Sequence, residues 1–342
     1  MDAVAGLLDG PRAREAFLLR CSMAAPWSVE VRDRAPLTLL TPVRGAAVLT
    51  AGGARHHLAT GTVAVLRGPA PYVVAGAGRT SPLGDPPTPP QAVIHPGQRC
   101  TAPDGGPQDQ MGEVGVRAWG NAGDRAAQDV LLVGTYTHVR AVSEALLAAL
   151  PDVVVLTGDD WRCPYLPLLA EESAREAPGQ QAVLDRLLDL VLVSVLRRWF
   201  QQEPASGTGQ GWWSGADPVV AAALRLLHEQ PERGWTLRVL AAAVGVSRAT
   251  LARRFSAAVG EPPGAHLARW RLALAADLLA ESDAPLDAVA RRVGYGTGAA
   301  LSAAFTRERG TSPSEHRRSV RGSRRHPAAA PVPVASSTAW QG

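Results

Sequence analysis

The chain contains no lysine: all 35 of its basic side chains are arginine, and aromatic residues make up only 5% of its 342 positions. The missing lysine reflects genomic codon bias rather than chemistry. Cysteine is scarce too, and Cys21, Cys100 and Cys163 are odd in number and far apart. They form neither a disulfide framework nor a compact metal site, and a reducing cytoplasm suits them. Long apolar runs are also lacking. The richest stretch, Val183 to Val195, is broken by Asp185, Arg186, Asp189 and Ser194, well short of the roughly 20 apolar residues that span a bilayer. The first twenty residues show no basic region, apolar core and cleavage site in series. A cytoplasmic, nucleoid-associated protein is therefore expected, without a membrane partner. What is present is a globular composition, with 46% hydrophobic and 19% charged residues, in a chain long enough for two cores.

Charge is unevenly placed. Sixteen arginines and eight acids lie at or after position 231, leaving nineteen arginines and 23 acids before it. The C-terminal part is thus positive and the rest mildly acidic, which points to a polyanionic partner for the C-terminal part alone.

From Trp27 to about Ala75, short apolar runs are cut by glycine: Leu37 to Leu40, Ala46 to Leu49, Val63 to Leu66 and Val73 to Val74. These read as strands of an antiparallel barrel or sandwich. Five prolines between Ser81 and Pro90 mark a connector. Ala92 to His95, Gly115 to Trp119, Val130 to Thr135 and Val153 to Leu156 are further strand candidates, with a short helix expected over Val142 to Leu150. The period then changes. In Gln181 to Phe200, Leu184, Leu187, Leu188, Val191, Val195 and Leu196 recur at three- and four-residue steps, predicting a helix with a broad buried face. Breadth of that kind suggests a homodimer contact. Residues 1–200 form a sensory or dimerising domain on this reading, 201–214 a linker, 215–318 an all-α domain, and 319–342 a disordered basic tail.

An internal repeat lies between Trp235 and Arg318. Phe255 and Phe305, Gly260 and Gly310, Pro263 and Pro313, and His266 and His316 are each 50 positions apart, whereas Gly245 and Gly294 differ by 49. Each copy reads as a short helix, a glycine break, a hydroxyl residue able to cap the next helix, and a second helix closed by glycine, the layout of a helix-turn-helix unit. In the first copy Leu237, Leu240, Ala241 and Val244 would face inward, Ser247 would cap the second helix, and Leu251 and Phe255 would be core. Arg248, Ala249, Ala252 and Arg253 are left toward the other side, where an arginine can donate two hydrogen bonds to guanine in the major groove. Arg238, Ser247, Arg254, Arg269, Arg271, Thr297, Arg307 and Arg309 are the phosphate-contact candidates. A helix from His266 to Ala280, roughly 22 Å long, would join the units so that both enter successive major grooves, which lie about 34 Å apart. Trp270 is expected in the core, and the matched His266 and His316 as a repeated structural hydrogen bond.

With its paired units, the VGYGTG turn (Val293 to Gly298), LSAAFTRERG (Leu301 to Gly310) and the TSP...HR ending (Thr311 to Arg317), this region resembles the AraC/XylS family of transcription regulators. The resemblance implies that the first recognition helix is the main base reader, through Arg248, Ala249, Ala252 and Arg253. It places Gly298, Ala299, Ser302 and Ala303 at the groove from the second. Neither Gly298 nor Ala299 offers a long polar side chain, so phosphate contact through Arg307 and Arg309 is the second unit's expected contribution.

More loosely, the N-terminal part resembles the cupin-like ligand-binding domain of such regulators, through Leu37 to Val74, VLLVGTY (Val130 to Tyr136) and SEALLAALPDVVVL (Ser143 to Leu156). The fold class implied is a two-domain α+β protein, a cupin-like β-barrel with flanking helices followed by two helix-turn-helix units. His56 and His57 are adjacent, so on a strand they point to opposite faces, and Tyr72 stands where a later metal-binding histidine would fall. No metal, no cofactor and no catalytic residue are read here. By the resemblance the barrel holds a small-molecule effector, with Arg67, Tyr72 and His57 as candidates, and the partners are double-stranded DNA, a second copy and RNA polymerase. Two other readings stay open: a catalytic barrel tethered to DNA, and an architectural DNA-binding protein.

Overall fold

The glycine-punctuated runs of the N-terminal half fold as two facing sheets, seen in a computed structural model that describes residues 16–77, 88–115, 117–136, 150–158, 161–202 and 217–325. The strands are β1 (Ala16–Met23), β2 (Ser28–Val31), β3 (Leu37–Arg44), β4 (Ala46–Ala51), β5 (Ala54–Ala59), β6 (Val63–Arg67) and β7 (Tyr72–Gly76). After the connector come β8 (Ala92–His95), β9 (Arg99–Thr101), β10 (Gly112–Gly115), β11 (Ala118–Gly120), β12 (Asp129–Tyr136) and β13 (Val153–Leu156). One sheet runs β10-β11-β1-β12-β3-β6-β13 and the other β5-β4-β7-β2-β8-β9.

Burial in β3 shows how the layers stack. Its residues from Leu37 to Pro42 are all buried, although a strand covered on one face should alternate. Leu40 points between the sheets with Cys21, Met23, Leu49, Val74 and Leu131. Leu37 and Leu39 point the other way, onto α1 (Tyr165–Ser173) and α2 (Gln180–Gln202), through Leu169, Leu188, Val191 and Val195. Sheet, sheet and helix pair therefore make three layers. Gly134 on β12 lets α2 approach closely: a Cβ there would lie 2.7 Å from Leu188 Cδ1.

The C-terminal half is helical: α3 (Pro218–Glu229), α4 (Leu237–Ala243), α5 (Arg248–Val259), α6 (Pro263–Glu281), α7 (Leu286–Val293), α8 (Gly298–Arg309) and α9 (Pro313–Arg325). The long α6 packs with α3 and α5, and also with α7, α8 and α9. Its 19 residues span roughly 28 Å. Leu240, Ala241, Leu251, Phe255 and Val259 fill the first unit and Val289, Ala290, Val293, Leu301 and Phe305 the second. No helix among the described residues is long and apolar enough to cross a membrane.

Several expectations need amendment. Leu237 is 38% exposed; it opens α4 directly after the capping Thr236, on the outer side of the first turn. The run Gly115 to Trp119 is two strands rather than one, because Arg117 takes a left-handed backbone (φ +55°) between them. Residues 319–325, expected as disordered tail, continue α9, and Gln201 and Gln202 extend α2 into the expected linker. The helix expected over Val142 to Leu150 lies almost wholly outside the described residues, as do the connector at 81–87 and positions 203–214 and 326–342.

Candidate nucleic-acid interface

The two units are built alike. In each, a hydroxyl oxygen accepts the amide three residues on: Ser247 Oγ from Thr250 at 3.1 Å, and Thr297 Oγ1 from Ala300 at 3.1 Å. These caps satisfy amides that the helix cannot. The repeated histidines meet the repeated phenylalanines edge-on, His266 against Phe255 at 5.7 Å and His316 against Phe305 at 5.4 Å. Their hydrogen bonds differ: His316 Nε2 lies 3.3 Å from Ala276 O, whereas His266 lies 2.9 Å from both Glu261 and His228. Both rings are thus hydrogen-bonded and both meet a phenylalanine, and the partners named differ between the units. Trp270 is core and stacks on His228 at 4.0 Å. Burial pushes the His228 imidazole down to about 3.

On α5, Arg248, Ala249 and Arg253 are exposed and Ala252 is half-buried, on the side away from Leu251 and Phe255. On α8, Ala299 and Ala303 are exposed and Ser302 is half-buried. Gly298 is different. It is buried, its amide donates to Asp287 Oδ1 at 2.6 Å, and a Cβ would sit 2.8 Å from that oxygen. Gly298 is thus the place where α7 grips the start of α8, not a surface offered to a groove.

Several phosphate candidates have internal partners. Arg254 gives both Nε and Nη2 to Asp217 at 2.6 Å, a bidentate pair that spends its fork. The same carboxylate accepts the Val219 and Val220 amides and so caps α3. The Arg254 guanidinium beside it holds the Asp217 carboxyl below the usual carboxylate range. Arg271 donates to Pro231 O at 2.6 Å and Arg233 O at 2.9 Å, tying α6 to the turn between α3 and α4. A Cβ at Gly294 (φ +88°) would meet both Arg271 and Pro231 O at 2.7 Å, so glycine there serves close packing as well as the turn. Arg238, Arg269 and Arg307 are exposed, Arg269 being paired with Glu261. Arg309 lies over the Phe305 ring at 5.7 Å.

Asp217, Asp287 and His228 were not singled out from the sequence. Only Asp217 carried a signal: an acid directly before Pro218 at a helix start.

The N-terminal half holds a cavity of about 400 Å³ between the sheets. Tyr72 lines it. Buried, and with Asp33 nearby, its phenol is pushed up. Arg67 and His57 do not line this cavity. Arg67 pairs instead with Asp152 at 2.6 Å beside a smaller cleft, and His57 is half-buried on β5, the outer strand of its sheet.

Two capped units sharing one helix, with guanidinium groups exposed on the second helix of the first, define a helix-turn-helix DNA-binding protein. The comparisons agree: a family model described as Cupin matches residues 2–201, and one described as Helix-turn-helix domain matches residues 240–319. An AraC-like transcription regulator of Streptomyces antibioticus is 38% identical over 224 residues, covering 63% of this chain and 71% of that protein. One from Streptomyces lividans is 39% identical over 228 residues, covering 64% and 72%. The crystal structure of the DNA-binding domain of AdpA in complex with a target DNA is 33% identical, covering 32% of this chain and 99% of that one, with a TM-score of 0.31. The chain belongs to the AraC-type transcription regulators that carry an N-terminal cupin domain.

Proposed function

We propose that residues 215–318 read a specific duplex chiefly through α5, and that residues 1–200 bias this binding through a small effector and through self-association. The observation that carries the reading is the exposure of Arg248 and Arg253 on a capped helix whose opposite face is locked into the core. Ala249 and Ala252 present only apolar surface, suited to a thymine methyl group. The second unit offers Ala299, Ser302 and Ala303, and its contribution is positional, through Thr297, Arg307 and Arg309. Arg238, Ser247 and Arg269 serve the first unit in the same way. Arg253→Ala is expected to cost about 1–3 kcal/mol at one base pair and to relax discrimination there. Titration of duplexes selected from a random pool reads this directly; equal losses on selected and random duplex would refute base reading.

Self-association is supported by α2. Its Val183 and Leu190 are 46% and 41% exposed, Leu187 lies half-buried between them, and Leu168 of the adjoining α1 is 50% exposed. Spaced at i, i+4 and i+7, these residues make an apolar stripe on a helix whose other face is already buried. Leu190→Glu is expected to halve the sedimenting mass of the full chain. Unchanged sedimentation would move the interface elsewhere. Contact with RNA polymerase, a place beside the nucleoid and no catalytic task for the two-sheet domain complete the proposed reading.

A further inference from the structure

Strand register gives the cavity two unlike ends. β1 and β2 are joined by the turn at residues 24–27, so Met23 and Trp27 lie at the same end of the two facing sheets. Progress away from that turn meets Cys21 opposite Leu131, then Leu19 opposite Val133, on one sheet. On the other it meets Val29 opposite Val74, then Val31 opposite Tyr72 and beside Ile94. The turn end is dry, lined by Met23, Trp27, Val29, Leu40, Val74 and Leu131. Polar lining gathers at the far end, where Asp33 follows Val31, Thr135 follows Val133, and Arg117 precedes the Ala118 that pairs with Arg20.

Arg117 is the cation at that end. Its Nη1 is buried and finds no hydrogen-bond partner among the described residues, although buried guanidinium groups are ordinarily paired. Its left-handed backbone (φ +55°) is one that non-glycine residues avoid, and such outliers gather at ligand clamps. The competing acids are weaker candidates. Asp33 already accepts the Ala35 amide, and burial pushes its carboxyl toward the neutral form. Glu113 is exposed at the rim with Gln98.

We propose that this cavity binds an apolar monocarboxylic acid, its hydrocarbon body toward Trp27 and Met23 and its carboxylate paired with Arg117. A cavity of this size falls within the range of about 300–1,000 Å³ usual for small-molecule sites, and arginine suits a carboxylate in fork geometry. The proposal rests on the effector reading above in taking the cavity as the regulatory site, but its test requires no DNA.

Calorimetric titration of the full chain with decanoate, 4-phenylbutyrate, 1-decanol and decylammonium, all below their aggregation limits, separates body from head group. Decanoate or 4-phenylbutyrate is expected to bind one per chain, with decanoate at least tenfold tighter than decanol. Arg117→Gln should bring decanoate to the affinity of decanol while leaving decanol unchanged, and Arg117→Lys should recover part of the preference. Val74→Trp, which fills the dry end, should weaken every probe. The assignment is overturned if no probe binds, if decylammonium binds best, or if Arg117→Gln keeps the acid preference. Tight acid binding with no change in DNA affinity would instead refute the regulatory reading and leave the site standing.

Discussion

Phe255→Ala is expected to remove about 3–5 kcal/mol from the stability of the first helix-turn-helix unit, the range for deleting a buried aromatic ring. Phe255 is wholly buried, meets His266 edge-on, and shares its core with Leu240, Ala241 and Leu251. Collapse around the hole is limited because α5 is pinned at its middle by Asp217 through Arg254. A loss of that size is a large fraction of the stability of an ordinary domain. Hydrogen exchange of the α4 and α5 amides in the full chain resolves the local effect. Near-wild-type protection would mean that the repeat position is not the keystone its burial indicates. Arg253→Ala, two residues away and exposed, should leave protection unchanged while altering duplex discrimination.

Acid is expected to destabilise the same region well above the carboxylate range, because of His228. At pH 7 this imidazole is neutral in the folded and unfolded chains alike. Below about pH 6.5 the unfolded chain takes up a proton, which the folded chain refuses until about pH 3, because burial between α3 and α6 disfavours the charged ring. His266 on α6 faces it across 2.9 Å, Glu261 lies beyond His266, and Trp270 covers the ring face. The folded pKa is the depressed one, so stability is full above the unfolded value and falls with pH below it. The fall approaches about 1.4 kcal/mol per pH unit for one proton. Between pH 6.5 and 4.5 that amounts to about 2 kcal/mol. Asp217 contributes in a separate, lower window: its carboxyl is depressed by Arg254, so its stabilisation holds above about pH 3.9 and is lost only as pH falls through the folded value. Comparing His228→Phe with the parent chain from pH 7 to 4.5 isolates the histidine. Parallel curves would show that the ring titrates freely in the folded protein.

The C-terminal unit was legible because its signals are local. Glycine breaks and hydroxyl caps lie close together within each copy, and the second copy repeats them about 50 positions on, as Phe255 and Phe305 show. The strands of β3, β4, β6, β8 and β12 were legible as apolar runs, but β1, β2, β5 and β9 were not. β5 carries Arg55, His56 and His57, and β9 is three residues with exposed Arg99. Propensity has little hold on such edge segments, which pair because a neighbouring strand is already in place.

The site was harder to read wherever a charge has a distant partner. Arg254 and Arg271 are arginines of the same basic region as Arg248 and Arg253, and only the fold reveals Asp217 and the Pro231 carbonyl beside them. Gly298 was offered to the groove because its number in the helix fits, whereas Asp287 of the preceding helix occupies that space. Of the cavity's lining only Tyr72 was read from the sequence, for the same reason: the lining is drawn from eight strands and their turns, and no sequence window contains it.

One side chain, that of Asp217, both opens α3 and holds the middle of α5. Any displacement of residue 217 is therefore felt by α5, the helix whose outer face carries Arg248 and Arg253. The grip is two-pronged and charged, so the start of α3 acts on α5 as a lever rather than as a hinge.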